Sequence, residues 1–118
     1  MKNIEIYCVT NKSIRFLEST GYKLAGVGKD YFSKKYIKCK NLINIFYKEK
    51  YYSELTFHYW LWKNLLEKKK QNLWIGFCQK RRFWLQNQKS STKLLKSVPK
   101  EWENYDAVIC KKLNLGKP

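Results

Sequence analysis

The chain has 118 residues, the length of one domain, and its 44% hydrophobic and 17% aromatic content excludes a disordered tail and supplies a core. Its 25 Lys and Arg against nine acids give a formal net charge of +16, a field that draws anions (nucleic acid, lipid headgroups, pyrophosphates) without choosing among them, and part of it is the ordinary solvation of a surface by lysines. No apolar run approaches the roughly 20 residues of a membrane span, and the opening stretch lacks the apolar region of a signal peptide, so a cytoplasmic location is expected.

Residues 4–10, IEIYCVT, are β-branched and aromatic and predict a strand. Asn11, Lys12 and Ser13 break it. A short helix is predicted over 14–19, stopped near Gly21, and a second strand over 22–28 ends with Gly26 and Gly28, which permit close backbone approach or unusual φ. Residues 29–52 are polar and basic around an apolar island at 41–46, and read as one long functional loop.

The clearest helix follows. Ser53 is its expected N-cap and Glu54 stands in its first turn. Leu55, Tyr59, Trp62 and Leu66 recur at helical spacing and predict the core-facing stripe, widened by Leu61 and Leu65, with lysines 68, 69 and 70 closing the helix. The continuous apolar run 73–78 predicts a buried central strand. The tetrad Gln79-Lys80-Arg81-Arg82 then falls at that strand's carboxyl end, where ligands of open α/β sheets bind. Residues 86–97 read as a mobile polar surface segment, 101–104 as one helical turn after Pro99, and 105–110 as a last short strand. The alternation of strands and helices makes the fold class α/β.

Groups able to do chemistry are few. The single histidine, His58, lies inside the helix and reads as a packed residue. Asp30 and Asp106 are the only aspartates and form no D-x-D, so the paired carboxylates that hold Mg²⁺ or Mn²⁺ in many nucleotide-sugar enzymes are missing. Asp106 suits a turn or a site equally. P-loop, H-E-x-x-H and G-x-S-x-G patterns are absent. Four isolated cysteines form no C-x-x-C, which argues against zinc, and Cys8, Cys78 and Cys110, in or beside apolar segments, are expected to be reduced and buried. Glu54 is the best candidate for a catalytic carboxylate. A basic nucleic-acid-binding module is the alternative, without any RNP, helix-turn-helix or zinc-finger pattern to support it.

Ser53-Glu54-Leu55-Thr56 followed by Tyr59-Trp60-Leu61-Trp62-Lys63-Asn64 resembles the S-E-L-T…Y-W-x-W-K-N signature of a bacterial glycosyltransferase family of capsular polysaccharide and lipopolysaccharide synthesis, many of whose members carry a domain-of-unknown-function label. Gly76, Cys78 and Arg81-Arg82-Phe83 resemble its G-x-C-H-Y-R-R-[YF] stretch, with Gln79-Lys80 in place of His-Tyr. Asn44-Ile45 stands where the family has an N-I-S pair. The strand through Thr10 to Lys12 is similar to its T-H-K turn, with Asn11 replacing the histidine. Val27-Gly28 resembles its V-G strand end, and residues 105–109 its Y-D-x-I-L segment.

The resemblance implies a partial GT-A-like nucleotide-diphospho-sugar fold, a mixed sheet flanked by helices, with residues 1–118 forming one domain. The family domain is longer, so a truncated form is expected, inactive as a fragment or completed by a separate C-terminal half. The resemblance also implies donor-binding roles for Thr10, Asn11, Lys12, Gly28, Asn44, Arg81 and Arg82, and a catalytic role for Glu54. Arginine suits bidentate phosphate contact. The implied reaction moves a sugar from a nucleotide-sugar to a polysaccharide or lipid-linked glycan acceptor, with a divalent metal in the complete domain. It would run in the cytoplasm or peripherally on the anionic inner face of the membrane.

Overall fold

A computed structural model describes residues 3–86, 93–111 and 116. The strands are β1 (Ile4–Thr10), β2 (Lys23–Gly26), β3 (Tyr36–Lys38) and β4 (Trp74–Gln79); the helices are α1 (Arg15–Glu18), α2 (Glu49–Tyr52) and α3 (Leu55–Asn64). The four strands form one sheet in the order β3-β2-β1-β4, and every pairing is parallel. The sheet is therefore not the mixed one expected. Each link between named strands is a crossover rather than a hairpin, and among the described residues antiparallel contact is confined to two isolated bridges, Gln79 with Arg82 and Leu85 with Leu94.

Alternate residues of β1 feed two cores. Ile6 and Cys8 face one side with Leu17 of α1, Leu24, Phe32 and Tyr36. Tyr7 and Val9 face the other with Phe57, Trp60 and Leu61 of α3. Helices thus cover both faces, which is why β1 is apolar at nearly every position. Among the described residues no helix is long and apolar enough to cross a membrane.

Four expectations are corrected. Residues 29–52 are not one loop: they hold β3, a 3₁₀ turn at Phe46–Lys48 and α2. Buried Phe32 and Tyr36 anchor this basic stretch, their rings 5.1 Å apart. The Tyr36 hydroxyl donates to the Ile14 carbonyl at 3.3 Å and accepts from the Ile14 N–H at 3.2 Å. Strand β4 lies at the edge of the described sheet, not its centre, and is half-buried. Its Trp74 meets Trp102, 5.9 Å between ring centroids, in a 3₁₀ turn (Lys100–Trp102) that matches the helical turn expected after Pro99.

The third correction is α3, which buries Thr56, Phe57, Trp60 and Leu61 and leaves Leu55, Trp62 and Leu66 exposed. Leu55, Trp62 and Leu66 of the expected stripe point away from the sheet, while the Leu61 and Leu65 that widened it pack on the core. Ser53 is not a cap; it holds φ of 48°, and the residue before α3, Glu54, sends its carboxylate to Gln79 rather than to the helix. Fourth, residues 105–110 form no strand, and Cys110 is exposed while Cys8, Cys39 and Cys78 are buried. Ile109 is 86% exposed.

The segment expected to be a mobile surface at 86–97 is exposed at Lys93, Lys96 and Ser97 and is anchored at Leu95. Leu95 is buried, its N–H donates to the Trp84 carbonyl at 2.8 Å, and Lys96 donates to the Thr20 carbonyl at 2.7 Å. Residues 87–92 of that expectation lie outside the described residues.

Candidate functional site

The strand order places a reversal at β1. The chain steps outward from β1 to β2 to β3, then returns through α3 to lay β4 on β1's other flank. The carboxyl ends of β1 and β4 lie side by side at this reversal, the position where doubly wound sheets take their ligands, and the segments that leave them pack on the same face, where Phe16 meets Phe83 with ring centroids 6.0 Å apart. A cleft of about 800 Å³ lies there, lined by Val9, Thr10 and Asn11 at the end of β1, Val27 after β2, Tyr52 to Leu55 at the start of α3, and Gln79 to Arg82 at the end of β4.

Local hydrogen bonds shape each wall. The buried Thr10 hydroxyl donates to the Lys12 carbonyl at 2.7 Å and accepts from the Lys12 N–H at 3.1 Å, a tight turn that ends β1 and turns Asn11 outward. Gln79 and Arg82 exchange two backbone bonds of 3.2 Å, so Lys80 and Arg81 sit at the tip of a turn. Lys80 Nζ donates to Asn11 Oδ1 at 2.9 Å and ties the ends of β1 and β4 together. Gln79 Nε2 donates to both oxygens of Glu54 at 3.0 Å and fixes that carboxylate at the amino end of α3.

The cleft thus sets three cations, Lys80, Arg81 and Arg82, against one carboxylate. The amino end of α3 adds its partial positive charge. Both arginines are exposed, free to close on an anion. Four residues along from Glu54, the His58 ring stacks on Phe77 with centroids 4.0 Å apart, and its Nε2 has no hydrogen-bond partner among the described residues. Burial pushes the His58 pKa down, against the opposing charge of Glu54. It is a packed residue, as expected.

Five of the sequence candidates meet in the cleft: Thr10, Asn11, Glu54, Arg81 and Arg82. Three do not line it. Lys12 is exposed and contributes its backbone to the Thr10 turn. Gly28 is buried at φ +89°, where an added Cβ would come within 3.2 Å of Glu49 Oε1; its role is to let α2 approach the end of β2. Asn44 braces its own loop, donating to the carbonyls of Lys40 at 3.0 Å and Leu42 at 2.9 Å and accepting from the Phe46 N–H at 3.2 Å. The neighbouring Ile43 is bonded to Asn64, at the opposite end of α3 from the cleft. Gln79 and Lys80 join the site without having been candidates. Their place in the basic tetrad was a signal, but their partners stand 25 and 69 residues away in the chain.

Among the described residues no group of three or more His, Cys, Asp and Glu side chains converges, and Glu54 is the one carboxylate lining the cleft. The residues present do not make a protein cage for a divalent ion.

A family model described as "Domain of unknown function (DUF4422)" matches residues 5–117. The chain belongs to the DUF4422 family. No curated protein and no solved structure matches it. The DUF4422 match takes in β1, α3, β4 and the turn at 79–82, so every wall of the cleft falls within the family domain.

Proposed function

We propose that this DUF4422 domain is a GT-A-like glycosyltransferase domain that holds a nucleotide-diphospho-sugar in the cleft between β1 and β4, as part of capsular polysaccharide or lipopolysaccharide assembly. The observation that carries the reading is the arrangement at the strand-order reversal, where Arg81 and Arg82 from the β4 turn face Glu54 at the start of α3 across one crevice. A diphosphate needs cations with fixed donor geometry, and guanidinium groups supply it. Asn11 and the end of β1 would border the nucleoside. Glu54, held by Gln79, would accept the proton of the acceptor hydroxyl as that oxygen bonds to the anomeric carbon and the bond from that carbon to the diphosphate breaks. Lys80, Arg81 and Arg82 would meet the charge left on the departing nucleoside diphosphate. The resemblance of the α3 and β4 signatures to glycosyltransferases points to the same chemistry.

Isothermal titration calorimetry against a panel of UDP- and GDP-sugars tests the reading. At least one donor should bind the wild type, and the double substitution Arg81→Ala with Arg82→Ala should weaken it at least about tenfold, the loss of one charge-assisted contact or more. A folded sample that responds to no donor would overturn it.

A further inference from the structure

Helix α3 is apolar on both sides. At about 100° per residue, Leu55, Tyr59 and Trp62 fall within about 60° of one another on the side opposite Phe57, Trp60 and Leu61, and Leu66 continues the row past the helix end. Leu55, Trp62 and Leu66 are 51%, 55% and 43% exposed. A helix whose outer side meets only water carries polar residues there, and this one carries an apolar stripe that needs a cover.

The lysines around the stripe indicate what that cover is. Lys63 Nζ lies 3.9 Å from the centroid of the Trp62 ring and 5.9 Å from that of Tyr59, and the two rings meet edge-on at 5.8 Å. Exposed Lys68 and Lys70 stand at its far end. The segment leading into α3 repeats the pairing: Lys48 lies 5.7 Å over Tyr47 and Lys50 5.8 Å over Tyr51, with both tyrosines exposed. Indole and phenol rings settle at the headgroup level of a bilayer, and neighbouring lysines reach lipid phosphates while their stems lie along apolar surface.

We propose that the outer face of α3, Leu55, Tyr59, Trp62 and Leu66 with Lys63 beside them, docks on an anionic lipid surface. A second copy of the chain fits this face less well, because the two chains, each carrying +16, repel. The lipid docking does not depend on the nucleotide-sugar reading. The two readings adjoin in space, since Leu55 begins the stripe and also lines the cleft, so a membrane under this face would bring headgroup-linked molecules to the cleft's edge.

Co-sedimentation with vesicles of phosphatidylcholine, alone or mixed with phosphatidylglycerol, tests the proposal, with circular dichroism confirming that each variant is folded. The chain should partition onto the mixed vesicles only, and less so as salt rises. Trp62→Ser combined with Leu66→Ser should reduce partition about tenfold or more. Lys63→Glu should reduce it clearly, while Lys38→Glu, the same charge change at an exposed position of β3, should alter it by no more than about twofold. Equal losses from the two lysine substitutions would overturn the assignment of the face. Binding indifferent to phosphatidylglycerol would overturn the proposal. So would a dimer that Trp62→Ser converts to monomer with vesicle binding unchanged, which would make the face a contact between copies.

Discussion

His58 lies between the cleft and the core, and its two neighbours act on it in opposite directions. Stacking on Phe77 half-buries its ring, and Nε2 has no partner among the described residues, while the charge of Glu54 favours the imidazolium. Burial wins, and the folded-state pKa lies below the unfolded value of about 6.5. The unfolded chain therefore binds more protons across this range, and stability must rise with pH there. The contribution is intact above about pH 6.5 and shrinks as pH falls through that value toward the lower folded-state pKa. Urea midpoints at about pH 7.5 and pH 5.5 should show this decline in the wild type and a smaller one in His58→Phe, which keeps the ring stacking and removes the titrating nitrogen. An undiminished decline in the variant would place the acid sensitivity elsewhere.

At the scale of the element, α3 shows how a helix can be legible while its orientation is not. Its apolar residues repeat at helical spacing, which makes its existence plain in the sequence, but they do so on two faces at once. Periodicity selected Leu55, Tyr59, Trp62 and Leu66, with Leu61 and Leu65 beside them; the sheet kept Leu61 and Leu65 and added Phe57 and Trp60, with the Phe57 ring against Tyr7 and Phe77. The indole N–H of Trp60 donates to the Asn41 carbonyl at 3.0 Å, a long-range partner that no local pattern announces. Trp60→Ala should cost about 3–5 kcal/mol, the usual loss for a buried aromatic, and bring the chain close to unfolding. Trp62→Ala, one turn face away, should cost less than about 1 kcal/mol. Chemical denaturation of the two variants checks the orientation, and a larger loss at Trp62 would reverse it. The same limit applies to β3: lysines stand on both sides of Tyr36-Ile37, and only tertiary contacts of Phe32 and Tyr36 reveal why the chain is extended there.

Over the whole molecule, strands β1, β2 and β4 and helices α1 and α3 were legible because β-branched runs, glycines and helical spacing mark them locally. The order in which the strands pair is not a local property. Only that order shows that the ends of β1 and β4 border a crevice, and that Thr10, Asn11, Glu54, Arg81 and Arg82 meet while Lys12, Gly28 and Asn44 serve turns and loops. The cationic character of the cleft was visible in the Lys80-Arg81-Arg82 run, yet the Gln79 contact that fixes Glu54 joins two elements far apart in sequence. The proposed donor site lies at this reversal of strand order. Hydrogen exchange read by mass spectrometry, with and without the nucleotide-sugar that binds in calorimetry, tests it most directly. Protection should rise in peptides covering 9–12, 52–55 and 79–82 and stay unchanged around Trp74 and Trp102 at the opposite end of β4. Protection confined to the Trp74 and Trp102 region, or to none of the three cleft segments, would contradict that placement.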